Sequence, residues 1–318
     1  MPAISQRVRL LTAFFLVYFI WGSTYLAIRY AVATLPPFLM AGSRFLLAGL
    51  LMLLVLRWRG VPLPSWSQWW RLGVVGLFLF LGGNGIVAWA EQDIDSGLAA
   101  LLVSLLPLWL IVLDWLWAGG PRPSLRGLSG VALGVLGTAV LLAPPTLFGT
   151  APPAGEAVTT PAADRFTLLA SLLLVLASLL WAIGSIYLKT FARPASVFMS
   201  AACQMLGGGL GLLLFSALLG EWRDFELAQV SLLSLGGFLY LMVFGSMVAI
   251  SSYVWLLQNA SASSVSTYAF VNPVVALLLG WLLADEPLTL PILLGAAIIL
   301  LGVVLVVLTP AGERRGSA

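Results

Sequence analysis

Apolar residues run along this chain in blocks of about 20, the length a helix needs to cross bilayer hydrocarbon. Short polar breaks separate them. The blocks predict ten spans, at about 10–32, 38–57, 70–91, 96–118, 125–143, 166–188, 195–219, 231–257, 261–284 and 288–309. Only ADEPLT parts the last two, and Asp285, Glu286 and Pro287 favour a tight turn there. One stretch breaks the pattern. PPTLFGTAPPAGEAVTTPAAD, residues 144–164, is rich in Pro, Ala and Thr and has no periodicity, so it is expected to be a flexible external linker. The predicted organisation is a five-helix repeat over 1–143, the linker over 144–165, and a second five-helix repeat with a short cytoplasmic tail over 166–318. The fold class is an all-α membrane protein with ten transmembrane helices.

The two halves resemble each other. SLLPLWLIVLDWLWAGGP (104–121) aligns with FVNPVVALLLGWLLADEP (270–287), matching Pro107 to Pro273, Trp115 to Trp281 and Pro121 to Pro287. The same offset matches Trp89 to Trp255 and Gln92 to Gln258. One residue less matches Gly130 to Gly295 and Gly137 to Gly302. Near the start of each half Trp21 matches Trp181, Arg29 matches Lys189, Arg44 matches Gln204 and Gly49 matches Gly209. Because five is odd, consecutive five-span halves cross the membrane in opposite senses, which makes the repeats inverted. Inverted repeats place substrate sites at their interface, near broken helices.

Composition sharpens this picture. The chain is 61% hydrophobic and 8% charged, against about 25% charged in soluble domains. The basic residues are scattered over loops, so no nucleic-acid partner is expected. Arg7, Arg9, Arg57, Arg59, Arg71, Arg122, Arg126, Lys189, Arg193, Arg314 and Arg315 fall on one side, and only Arg165 and Arg223 on the other. That asymmetry predicts cytoplasmic termini in a cell (inner) membrane. With no histidine and a single cysteine, Cys203, imidazole relays, HExxH zinc sites and an intramolecular disulfide are excluded. No metal, cofactor or nucleotide motif is present, and the chain is not expected to be an enzyme.

Pro107 and Pro273 lie about eleven residues from their helix ends, near the bilayer centre. Each removes an N–H and frees a carbonyl, that of Val103 or Ala269. Those carbonyls either line a polar cavity, with the prolines as gating kinks, or find donors on neighbouring helices. Arg44 lies about seven residues into the second span, where a charge needs a partner. Glu91 is at the same level, so an Arg44–Glu91 ion pair is expected. It fixes helix packing, or else Arg44 faces the cavity and meets a cargo carboxylate. Arg29 and Lys189 are expected to snorkel to headgroups. Asp114 is expected to cap a polar network or carry a proton, and any proton coupling must use carboxylates such as Glu91 or Asp114. Trp21, Tyr25, Asn84, Trp181, Tyr268 and Asn272 are polar or aromatic residues well inside spans, and with Arg44 they form the candidate cargo site. The glycine motifs GGNG, GGGLG and GxxxG at 130–134 permit close helix approach and make a homodimer a candidate assembly.

FIWGSTYLAIRYAV (19–32), PPFLMAGSRFLLAGLL (36–51), the duplicated proline-bearing helix and the LADEPLT…GAAIILLGVVLV ending (283–306) together resemble EamA-type members of the drug/metabolite transporter superfamily. The resemblance spans nearly all of both halves. It implies a ten-helix inverted-repeat bundle moving small metabolites, often outward, such as amino acids. One departure stands out: AGGP (118–121) replaces ADEP (284–287), so the acidic pair acts in one half only. The function expected is therefore secondary transport, with export as the direction. An intramembrane enzyme, or a lipid-scrambling or structural membrane protein, remains the alternative. The partners expected are a small-molecule solute and membrane lipid.

Overall fold

The computed structural model describes residues 6–120, 122–143, 161–191, 196–223, 225–260, 264–265 and 267–307, without the side chains of 161–165, 254, 257 and 258. The expected linker over 144–160 and the tail from 308 lie outside these residues. All regular structure in the described residues is helical. The helices are α1 Gln6–Val32, α2 Pro37–Trp58, α3 Trp66–Ala90, α4 Ser96–Leu116, α5 Leu125–Leu141, α6 Pro161–Phe191 and α7 Val197–Leu219. They continue with α8, made of Leu232–Tyr240, Leu241–Val248 and Ala249–Asn259, then α9 Tyr268–Ala284 and α10 Leu290–Val307. Serines set several starts. Ser65, Ser124, Ser196 and Ser231 each accept a backbone N–H in the first turn of α3, α5, α7 and α8, as N-caps do.

Among the described residues, eight helices are long and apolar enough to cross a membrane. Helices α5 and α9 are shorter, at 17 residues each, or about 25 Å at helical rise. The chain is thus a multi-pass helical membrane protein, and a count of ten rests on these two short helices. Helix α6 begins at Pro161, inside the stretch expected to be linker.

Reciprocal glycine contacts reveal how the halves are related. A Cβ on Gly209 of α7 would meet the Gly42 carbonyl of α2 at 3.1 Å, and one on Gly49 would meet the Ala202 carbonyl at 3.1 Å. By the sequence offset, 42 corresponds to 202 and 49 to 209. At the other seam, a Cβ on Gly130 of α5 would meet the Gly302 carbonyl of α10 at 2.7 Å, and one on Gly137 the Gly295 carbonyl at 3.0 Å. In each pair a residue touches the counterpart of its neighbour, the signature of a two-fold axis. The paired helices run antiparallel, so the axis lies across them and the repeats are inverted. The remaining contacts obey the same exchange: α1 packs on α9 as α6 packs on α4, and α3 on α6 as α8 on α1.

Two features depart from ideal α-helix. Leu77–Gly85 of α3 and Leu241–Val248 of α8 are π-helical. They occupy corresponding helices, and wide turns of this kind often accompany functional sites. The prolines are less symmetric than their spacing predicts. Helix α4 breaks at Ser104–Leu105 and restarts with Pro107 in its first turn, whereas α9 continues through Pro273. Leu105, Leu108 and Ala269 bury together, with Tyr268 and Phe270 packed against them. Buried Ser104 and Asn272 set polar side chains beside this apolar cluster, next to the two breaks.

Candidate functional site

The strongest polar assembly joins the two halves where α1 ends and α4 begins. Helix α9 stops at Asp285, whose left-handed backbone (φ 53°) is the sole positive φ of a non-glycine among the described residues. Aspartate tolerates this conformation better than most residues do. The reversal turns Glu286 inward, where it is 4% exposed. Its carboxylate accepts from Ser96 N (2.9 Å), Ser96 Oγ (2.7 Å) and Gly97 N (3.0 Å). A carboxylate at free N–H groups also meets the positive end of the helix dipole of α4. Arg29 of α1 bridges Glu286 at 2.5 Å and Asp95 at 2.6 Å. Arg29 therefore does not snorkel alone, as expected from sequence. It ties α1 to both α4 and the α9 turn.

Consecutive spans alternate in direction, so the counterpart of this assembly sits at the opposite face. Lys189, which matches Arg29, bridges Asp114 at 2.6 Å. The acid comes from a different register. Glu286 corresponds to Gly120, and Asp114 corresponds to Gly280. A Cβ on Gly120 would meet Asp114 Oδ2 at 2.5 Å, and one on Gly280 would strike the Glu286 carboxylate. Each half therefore has an acid where the other has glycine, and each glycine leaves room for the neighbouring carboxylate. The departure AGGP is compensated by Asp114. The two pairs differ in burial: the Lys189 side chain is 63% exposed. An exposed pair contributes about 0.2–1 kcal/mol. Lys189→Ala is accordingly expected to change the unfolding midpoint little, a result that detergent-solution melting of purified protein checks.

Arg44 and Glu91 do not form the expected ion pair. The Arg44 guanidinium donates to Asn84 Oδ1 at 3.2 Å and lies 4.1 Å from the Phe45 ring centroid, a cation–π distance. Both residues are buried, at 3% and 2% exposure. Among the described residues, the buried side-chain atoms without a hydrogen-bond partner are Arg44 Nε and both carboxylate oxygens of Glu91. Glu91 also contributes to a cleft of about 360 Å³ lined with Arg29, Val32, Ala33, Gln92, Asp93, Ile94 and Asp95.

The seven expected cargo residues fall into two groups. Trp21 stacks its edge near Tyr268 (5.2 Å between centroids) and near Tyr253 (5.2 Å). With its amide nitrogen turned toward acceptors, Asn272 donates to the carbonyls of Tyr18 and Tyr268 at 3.2 Å. Arg44, Asn84 and Trp181 belong to the other group, linked by Phe45–Phe80 (4.2 Å) and Phe80–Trp181 (6.3 Å) ring contacts. Tyr25, one turn beyond Trp21, packs against the same core as Trp181 and Phe45. The π segments feed both groups: Asn84 lies on one, and the other offers the Gly245 carbonyl to Trp21 Nε1 at 3.3 Å. None of the seven lines the 360 Å³ cleft. Sequence reading counted Tyr253 among the polar and aromatic span residues but left it out of the cargo set, and it missed the Glu286 assembly and the π segments. The assembly carried a signal, since ADEP departs from AGGP. The π segments carried none beyond their glycines.

Known proteins resemble this chain over almost its whole length. A family model described as the EamA-like transporter family matches residues 9–143 and 168–308. A relative in Escherichia coli K12, named "Uncharacterized inner membrane transporter YedA", is 37% identical, over 95% of this chain and 92% of its own. The "Uncharacterized transporter YvbV" of Bacillus subtilis is 28% identical over the same shares. A WAT1-related chloroplastic protein of Arabidopsis thaliana is 26% identical, over 91% of this chain and 67% of its own. One solved crystal structure superposes with a TM-score of 0.59 at 18% identity, over 94% of this chain and 96% of that one. At that identity the likeness concerns fold alone.

Proposed function

Because the chain belongs to the EamA-like transporter family, we propose that it is a secondary transporter that exports a small, amphipathic, amino acid-like solute by alternating access between its two halves. A transporter role accords with the names of the relatives. The observation that carries the mechanism is the pair of cross-half ion bridges at opposite faces. In one the carboxylate is buried and multiply bonded; in the other the cation is exposed. A machine that opens to each side in turn needs a closure at each side, and here the Glu286 closure is made. The distribution of Lys and Arg supports placing that face outside and both termini in the cytoplasm, in a cell (inner) membrane.

The candidate cargo residues are Arg44 and the Trp21–Tyr268 aromatic group. The unpartnered Arg44 Nε supports a carboxylate-bearing solute, and the rings support an apolar body. Pro107, Pro273 and the π segments are the places where helices can adjust. A thermal-shift screen against metabolites identifies the cargo, since a ligand bound only by the native state stabilises it. With that cargo in liposomes, Arg44→Ala is expected to fold and insert yet lose transport by more than about tenfold, or about 1.4 kcal/mol. Arg44→Lys is expected to fail as well, because an ammonium cannot present a planar fork. Normal transport by Arg44→Ala would remove Arg44 from the site.

A further inference from the structure

Glu91 closes α3 at the wall of the cleft, and its burial without partners needs a physical account. Both oxygens lack a hydrogen bond. An ionised carboxylate in that situation forfeits hydration and recovers only the attraction of Arg29 and Arg44, so burial as the neutral acid costs less. The charged and titratable groups that face it are Arg29 and Tyr25 from α1, Arg44 from α2 and Glu286 from the α9 turn. Asp93 and Asp95 of its own turn line the same cleft. Arg29 is already engaged by Asp95 and Glu286. With solvent-exposed Asp93 left aside, the inner set is Arg29, Arg44, Glu286 and Asp95, and it is neutral without any charge on Glu91. Ionised Glu91 would leave one uncompensated negative charge in a dry region.

We propose that Glu91 is a proton-binding site, protonated in this conformation and filled from water in the adjoining cleft. Loading transfers one proton from hydronium to the carboxylate and leaves neutral acid and water. Unloading is the reverse, and it accompanies a rearrangement that brings the carboxylate to Arg44, whose Nε is the nearby unpaired donor. The proton is thereby the coupling ion of the transport reading. Only that use rests on the transport reading; the protonation itself does not.

Infrared spectroscopy of the purified full chain tests this without any cargo. The wild type at neutral pH is expected to show the carbonyl stretch of a protonated carboxylic acid and to shift it on transfer to heavy water. Glu91→Gln, which mimics the neutral acid in shape, is expected to lose that band, and Asp114→Asn to keep it. Should Glu91→Gln fail to fold, Glu91→Asp is expected to move the band. Thermal melting gives a second readout. Above the ordinary glutamate range, near pH ~4.3, the folded state holds one proton more than the unfolded chain, so stability falls as pH rises. Glu91→Gln is expected to remove that slope. A wild-type spectrum without the band at neutral pH, or a band indifferent to the Glu91 substitutions, overturns the proposal. Failure of Arg44→Ala to affect transport would leave these spectra unchanged, so the two readings fail separately.

Discussion

Glu286→Ala is expected to cost about 3 kcal/mol of stability, the low end for removing one member of a buried ion pair. The substitution leaves Ser96 N and Gly97 N without their acceptor and strips Arg29 of one of two anions. The low end applies because Arg29 keeps Asp95 and is one-third exposed. Glu286→Gln keeps the shape and one acceptor oxygen, so its loss is expected to be smaller. The same variants report on access. With Cys203 replaced, a cysteine at Tyr25 is expected to react with a membrane-impermeant reagent faster in Glu286→Ala than with Glu286 present. Equal labelling rates, with stability reduced, would make the assembly a mere staple and not a closure.

Gly209→Val is expected to abolish assembly of the folded chain. The obstacle is backbone: a Cβ at 209 would lie 2.7 Å from Leu46 N and 3.1 Å from the Gly42 carbonyl. Extra methylenes in a packed core cost about 1–3 kcal/mol when side chains can yield, and here none can. By the two-fold relation, Gly49→Val is expected to fail likewise, since its Cβ would sit 2.9 Å from Met205 Cβ and 3.1 Å from the Ala202 carbonyl. Gly236 is the control. Nothing lies within 4 Å of a Cβ there, although it too is inside a helix. Gly236→Ala is expected to gain about 0.5–1 kcal/mol through reduced backbone entropy of the unfolded chain. Size-exclusion profiles and melting curves of the three variants separate packing from propensity.

The span pattern and the repeat were legible because both rest on side-chain polarity and spacing, which sequence displays directly. The matching of Gly130 with Gly295 and of Gly137 with Gly302 identified repeat counterparts but not the seam, whose contacts run crosswise. The ion pairs were harder. Arg44 and Glu91 stand at one level, but level along a helix says nothing of azimuth, and Arg44 turns to Asn84 instead. Arg29 looked like a lone cation at a helix end because its partners lie 66 and 257 residues away. The π turns were invisible for another reason. They depend on which carbonyl each N–H selects, a choice decided by packing around Gly82–Gly85 and Gly245 and not by composition.

The seams α2–α7 and α5–α10 carry one last implication. Backbones held at glycine distance cannot slide past each other without collision. Any large movement of one half against the other must therefore turn about these two contacts, as a door turns on its pins, while the outer helices sweep through the widest arc.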